Sequence, residues 1–246
     1  MEQAPRRTTI RGPTFIHLLA RLTDVDVPHS KQSLSDRLSQ WFDWTHAIAL
    51  STALDGKLPA ASPAAAADGE EESECTRVHA ALVQAITGNH EPASSGQRGA
   101  GRTITEEAGA NAAIDYSAFR QRYLAMQRAM LTATGNLRGR LRDKLAQRSA
   151  EMARLAEMDA VMERALSPRE QTLLSSVPGL LGKHFERLQQ AGQKTPEDPP
   201  ISTDTPAATL NVWLDVFRKD MQSVLLAELD VRFQPVEGLL AALRTR

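Results

Sequence analysis

Between Asp115 and Gln147 the apolar residues recur at intervals of three and four: Tyr116, Phe119, Tyr123, Met126, Met130, Leu137, Leu141 and Leu145, with Ala133 filling one step. Residues so spaced share one face of an α-helix. The spacing therefore predicts a long helix with one stripe that must be buried against other helices. Gly135 and Gly139 lie inside it and cost about 1 kcal/mol each relative to Ala. At about 100° per residue, however, Leu137, Leu141 and Leu145 stay on the stripe begun by Tyr116, so the helix is predicted to run through both. No segment alternates with period two over a useful length. The fold expected is all-α, a multi-helix bundle of long amphipathic helices, in part coiled coil, joined by low-complexity linkers.

Composition sets the limits. Hydrophobic residues make up 41% and charged residues 24% of 246, the balance of a chain that can bury a core. With 29 basic and 30 acidic residues the net charge is −1, so no overall field draws the chain to nucleic acid or to an anionic bilayer. The single cysteine, Cys75, excludes an internal disulfide and suits a reducing compartment. The apolar run from Phe15 to Leu22 is broken by His17 and Arg21, so neither a signal peptide nor a membrane span is expected, and a cytoplasmic location is.

Three regions follow in order. Residues 1–56 read as an N-terminal helical module: Pro13 opens a helix carrying Phe15, Leu18, Leu19 and Leu22, Ser30 or Ser33 caps one carrying Leu34, Leu38, Trp41 and Phe42, and Asp43 caps one carrying Trp44, Ala47, Ile48 and Leu54. Residues 57–113 read as linkers flanking one short helix at about 73–87, with an acidic first turn of Glu70, Glu71, Glu72 and Glu74. Residues 114–246 form the main bundle, interrupted by a proline-rich linker at 193–207.

Inside that bundle a break is expected near Ser149, which can cap the next helix. Ser167-Pro168-Arg169-Glu170 has the form of a capping box and predicts a second boundary. Pro178 is expected to kink or restart a helix, and Pro235 to interrupt the last one. Glu228 projects near the centre of the Leu210–Met221 stripe, and its expected partner is Arg148 or Lys144.

Few residues offer site chemistry. Gly179 to His184 has a Gly-Lys pair, but a phosphate loop needs four residues between its glycines and a Ser or Thr after the lysine; here there are two and a histidine. Gly96 to Gly101 follows no strand. Asp24, Asp26 and His29 share one loop that could hold a metal, although such loops are far more often solvated turns. Cys75 has no helper in sequence. No cofactor is expected and no catalytic set is assigned.

Two kinds of interaction surface remain. Arg120, Arg122, Arg128, Arg138, Arg140, Arg142, Lys144 and Arg148 face a single Asp143 over 29 residues. Arg138, Arg140 and Arg142 are the candidates for gripping phosphate or nucleic acid, against the plainer reading that they pair with acids of neighbouring helices. The methionine-rich helix faces are the other, since methionine adapts to exchangeable partners. Trp213, Phe217 and Met221 are the candidate face for docking another protein or a second copy of the chain. The expected function is thus a non-enzymatic scaffold or adaptor, with nucleic-acid binding as the alternative.

Four blocks carry a family likeness: LLARLTDVDVPHSKQSLSDRLSQWFDW (18–44), YLAMQRAM (123–130), SPREQTLLSSVPGLLGKHFERL (167–188) and WLDVFRKDMQSVLLAELDVRFQPVEGLLAAL (213–243). Through them the chain resembles a family of proteobacterial proteins known as a domain of unknown function. The resemblance covers nearly everything outside the linkers and the glycine-rich loop, and it brings no activity and no catalytic residues. It implies gene neighbours of proton-channel type and of the peptidoglycan-binding outer-membrane kind, hence an accessory to a bacterial envelope complex.

Overall fold

The computed structural model describes residues 14–24, 33–55, 69–88, 115–194 and 212–245. Among them are eight helices and no strand: α1 (Thr14–Thr23), α2 (Leu34–Trp41), α3 (Trp44–Asp55), α4 (Glu70–Thr87), α5 (Tyr116–Arg148), α6 (Ala150–Leu174), α7 (Val177–Lys194) and α8 (Val212–Arg244). The fold is an all-α multi-helix assembly, and no described helix is long and apolar enough to cross a membrane.

Local chemistry sets the starts of four helices. Ser33 Oγ accepts the Asp36 N–H at 3.1 Å while Asp36 Oδ2 accepts the Ser33 N–H at 3.2 Å, a complete capping box. Asp43 Oδ1 accepts the His46 N–H at 2.9 Å and opens α3. Ser149 both ends α5 and starts α6, its Oγ accepting the Met152 N–H at 3.2 Å. Pro178 stands in the first turn of α7, where a missing N–H costs nothing.

Two proline boundaries are not there. Pro168 lies inside an unbroken α6 and Pro235 inside an unbroken α8. Proline in a helix interior forfeits one hydrogen bond and costs about 3 kcal/mol. Packing on both sides offsets this: Val161, Ala165 and Leu174 are buried around Pro168, and Phe233, Val236 and Leu239 around Pro235. Burying each of the larger side chains returns roughly 1.5–3 kcal/mol. Glu170, the expected closing residue of a capping box, instead accepts from Arg232 Nη1 of α8 at 3.2 Å.

At the centre, α5 lies along α8. Tyr116 meets Phe217 and Tyr123 meets Glu228, so the two helices run in the same direction. α6 returns antiparallel to α5, with Arg138 opposite Asp159 and Gln127 opposite Leu174. α4 also runs antiparallel to the central pair, with Glu74 beside Arg140 and its C-terminal Gly88 carbonyl accepting from Arg122. α7 packs its Phe185 against Trp213 and Phe217 of α8. The helices of the 1–56 region divide: α1 lies on α7 and α8, whereas α3 lies on α6.

The seam of α5 differs from the pattern of its apolar letters. Its buried residues are Tyr123, Gln127, Met130, Thr134, Leu137, Leu141 and Leu145. The intervals alternate between four and three up to Leu141, the spacing of an interhelical seam, and two positions on it are polar. Met126 and Ala133 sit at its margin, packed against the core.

Candidate functional site

The arginine-rich segment of α5 faces carboxylates. Arg138 donates from Nε and Nη2 to the two oxygens of Asp159 at 2.8 and 2.6 Å. Arg142 Nη1 reaches Glu163 at 2.6 Å, and Arg138 Nη1 reaches Glu163 at 3.5 Å. Two arginines four apart on α5 thus close a square with two acids four apart on α6. Burial opposes the charge on Arg138, and its bonds to Asp159 more than offset that, so its pKa stands above the ordinary arginine value. Arg140 pairs with Glu74 at 2.8 Å and Lys144 with Glu71 at 3.1 Å, both on α4. Of the two readings weighed for Arg138, Arg140 and Arg142, internal pairing is what the fold contains.

The expected docking face of α8 is corrected by burial. Phe217 is 0% and Met221 5% exposed, so both belong to the interior, and only Trp213 is half-buried. Phe217 sits in an aromatic cluster with Tyr116, Phe119 and Phe185, ring centroids 5.0–6.1 Å away. The methionines split likewise: Met130 and Met221 are core, while Met162 reaches the surface of α6.

A buried polar network lies deeper. Glu228, fully buried, accepts from Tyr123 Oη at 2.6 Å, from Gln127 Nε2 at 3.1 Å, and from Arg232 Nε and Nη2 at 3.0 and 2.9 Å. Gln127 Nε2 also donates to the Leu174 carbonyl at 3.1 Å, tying in the end of α6. The expected partners Lys144 and Arg148 are not involved: the charge that Glu228 needs comes from Arg232, one turn along its own helix. Burial first, and the Glu228 carboxylate second, push the Tyr123 hydroxyl far above the ordinary tyrosine range.

Other titratable side chains serve the packing. His184 Nε2 lies 2.8 Å from Asp220 Oδ2, and Arg187 donates to the Leu22 carbonyl at the end of α1. Burial raises the Cys75 thiol pKa, with Glu74 adding to it. Among the described residues no group of three His, Cys, Asp or Glu is placed to hold a metal. Of the loop Asp24, Asp26 and His29, the last two fall outside the described residues. Gly179 to His184 is the first turns of α7 rather than a loop, and Gly182 lets the Tyr116 ring approach: a Cβ there would stand 3.0 Å from Tyr116 Cε1.

The surface left open belongs to α2 and α3. Seven of the twelve residues of α3 (WTHAIALSTALD) are Trp, Ala, Ile or Leu, distributed around the helix, so that it has no polar side. A helix without a distinct polar side leaves some apolar side chains facing outward unless it is covered on more than one side. Here Ala53 alone is buried, while Trp44 is 79%, Ile48 49% and Leu54 50% exposed. Between α2, α3 and α6 runs an open groove of about 490 Å³, walled by Leu38, Phe42, Ala47, Leu50 and Met162 with Ser35 and Ser39. Arg169 of α6 stacks 5.8 Å from the centre of the Trp41 ring, pinning α2 to the bundle beside it. The sequence placed Leu38, Phe42, Trp44, Ala47, Ile48 and Leu54 on the apolar faces of their helices. The signal that sets them apart is the lack of any polar side in α3.

The fold defines an all-helical protein in which, among the described residues, the α2–α3 surface is apolar and exposed. By sequence the chain belongs to the family described as Protein of unknown function (DUF3348), whose model matches residues 1–245. No curated protein and no solved structure matches it.

Proposed function

We propose that this chain is a non-enzymatic helical adaptor that docks another protein on the α2–α3 surface. The supporting observation is α3 itself, whose apolar residues are spread around the helix and which is exposed at Trp44, Ile48 and Leu54. Exposed aromatic and aliphatic side chains beside an apolar groove are what a partner helix buries. The nucleic-acid alternative draws no support from Arg138 and Arg142, whose charges are held by Asp159 and Glu163. A cytoplasmic role beside an envelope complex rests on the family resemblance and is part of the same proposal.

The test compares the wild-type chain with an Ile48→Glu/Leu54→Glu variant as bait at high salt. Apolar docking survives salt and fails when charge enters the face, so the wild type should retain a partner that the variant loses. Recovery of the same proteins by both baits would overturn the reading. Recovery of nucleic acid that washes off as salt rises would favour the alternative.

A further inference from the structure

We infer that α2 is a hinged flap over the groove between α3 and α6, held open by the Arg169–Trp41 contact and closing when that contact breaks. Its effect on docking rests on the surface proposed above; the motion itself does not.

No described side chain of α2 is buried, so little apolar packing fixes this helix in place. Local movement is easiest where buried contacts are few. Two residues outside any helix, Phe42 and Asp43, join α2 to α3. Each helix is complete without the other. The Ser33–Asp36 capping box closes one end of α2, and the Phe42 N–H donates to the Leu38 carbonyl at 2.9 Å at the other. Asp43 caps α3. Turning about the joint therefore breaks none of these bonds. The Phe42 ring stands edge-on to His46, centroids 6.1 Å apart, and marks the pivot.

The groove side of α2 is suited to closing. Leu38, Ser39 and Phe42 stand three, four and seven residues on from Ser35, so all four share one side of the helix. Leu38 and Phe42 line the groove opposite Leu50 and Met162, across about 490 Å³ of open space. The two serines are small enough to admit the opposite wall. Removing these apolar walls from water favours closure. Arg169 opposes it: its guanidinium, 5.8 Å from the centre of the Trp41 ring, fixes the last turn of α2 at its present stand-off from α6. The contact lies beside the joint, so a small shift there becomes a larger one at the Ser33 end.

A disulfide traps the closed flap. Ser35 lies about 9 Å along α2 from Trp41 and Met162 about 10.5 Å along α6 from Arg169, similar distances from the contact that holds the flap. In the full chain carrying Cys75→Ala, Ser35→Cys and Met162→Cys, closure brings the two sulfurs towards bonding range. Ser39→Cys with Leu50→Cys is the second pair, should the first lose the wild-type circular dichroism. The folded protein should cross-link under mild oxidation, and adding Arg169→Ala should raise the rate about 2–5-fold, the scale of one exposed cation–π contact. Trp41→Ala should do the same, and the two together no more than either. Folded protein that forms no cross-link with either pair overturns the flap. A rate unchanged by Arg169→Ala and by Trp41→Ala overturns the role of their contact. As bait, the oxidised chain should lose the partner that the reduced chain keeps. Retention by both forms overturns the control of docking and leaves the adaptor reading standing. A wild-type bait that retains nothing sinks the adaptor reading, while the cross-linking rates still decide the flap.

Discussion

Glu228 shows how much one buried carboxylate can organise. Its oxygens take donors from α5 and from its own helix, and Arg232 carries the link onward to Glu170 of α6. Removing the charge by Glu228→Gln leaves the Arg232 guanidinium, its side chain 5% exposed, with the half-exposed Glu170 as its counter-charge among the described residues. Breaking one partner of a buried pair costs about 3–5 kcal/mol. Tm should therefore fall by roughly 6–20 °C, and an unchanged Tm would remove the network from the account of stability. The chain's two tyrosines give a second handle. Burial pushes Tyr116 up to about 12, with the Arg120 charge partly opposing it, and Tyr123 goes higher still. Because the fold favours the neutral phenol, this stability is complete below pH 10, the ordinary tyrosine value, and is lost as pH rises towards and beyond 12. The native protein should show no tyrosinate absorbance step at pH 10, and the rise should coincide with alkaline unfolding. A separate step near 10 would mean that a phenol is solvent-accessible.

At the scale of the helix, α4 is held differently from its neighbours. Cys75, Leu82 and Ile86 are buried, while its N-terminal half is tied by Glu71 to Lys144, Glu72 to Arg244 and Glu74 to Arg140. Such partly exposed pairs contribute about 0–1 kcal/mol each and are screened by salt. A bond from its own backbone N–H, and then Lys144, hold the Glu71 carboxyl below its ordinary value of 4.5. A depressed carboxylate pKa gives stability that is present above the unfolded value and lost as pH falls through the folded one. Below about pH 4.5, then, α4 should loosen before the rest. A disulfide reagent active in acid reads this at Cys75, which should become reactive while α5–α8 circular dichroism persists. Continued protection of Cys75 down to global unfolding would refute it. The helices also show what was legible in advance. The caps at Ser33, Asp43 and Ser149 were readable because each is a local contact between a side chain and a backbone N–H three residues on. Pro168 was misread for the same reason: Ser167 to Glu170 has the local form of a start, and only the distant Arg232 claims Glu170 for another purpose.

For the molecule as a whole, α-class and a buried α5 face followed from apolar spacing alone, since burial is the main consequence of that pattern. Gln127 and Thr134 escaped because they are polar and enter the seam only where Glu228, Leu174 and Met130 supply partners. Trp213, Phe217 and Met221 were placed outside because a strong stripe does not say whether its cover belongs to the same chain. α5 and α7 supply that cover here. The open face came instead from α3, whose lack of a polar side is a weak signal in twelve residues.

The same-direction contact of α5 and α8 has a consequence for synthesis. Tyr123 and Glu228 are 105 positions apart, and α6 and α7 must be made in between. From Leu174, the end of α6, to Glu228 is 54 residues, so at about 5–20 residues per second the α5–α6 hairpin waits roughly 3–11 s on the ribosome with its seam unanswered. For that interval a nascent chain is a client for chaperones. A message cut short ahead of α8 would release a polypeptide whose central helix has lost its mate, destined for clumping or degradation rather than for work.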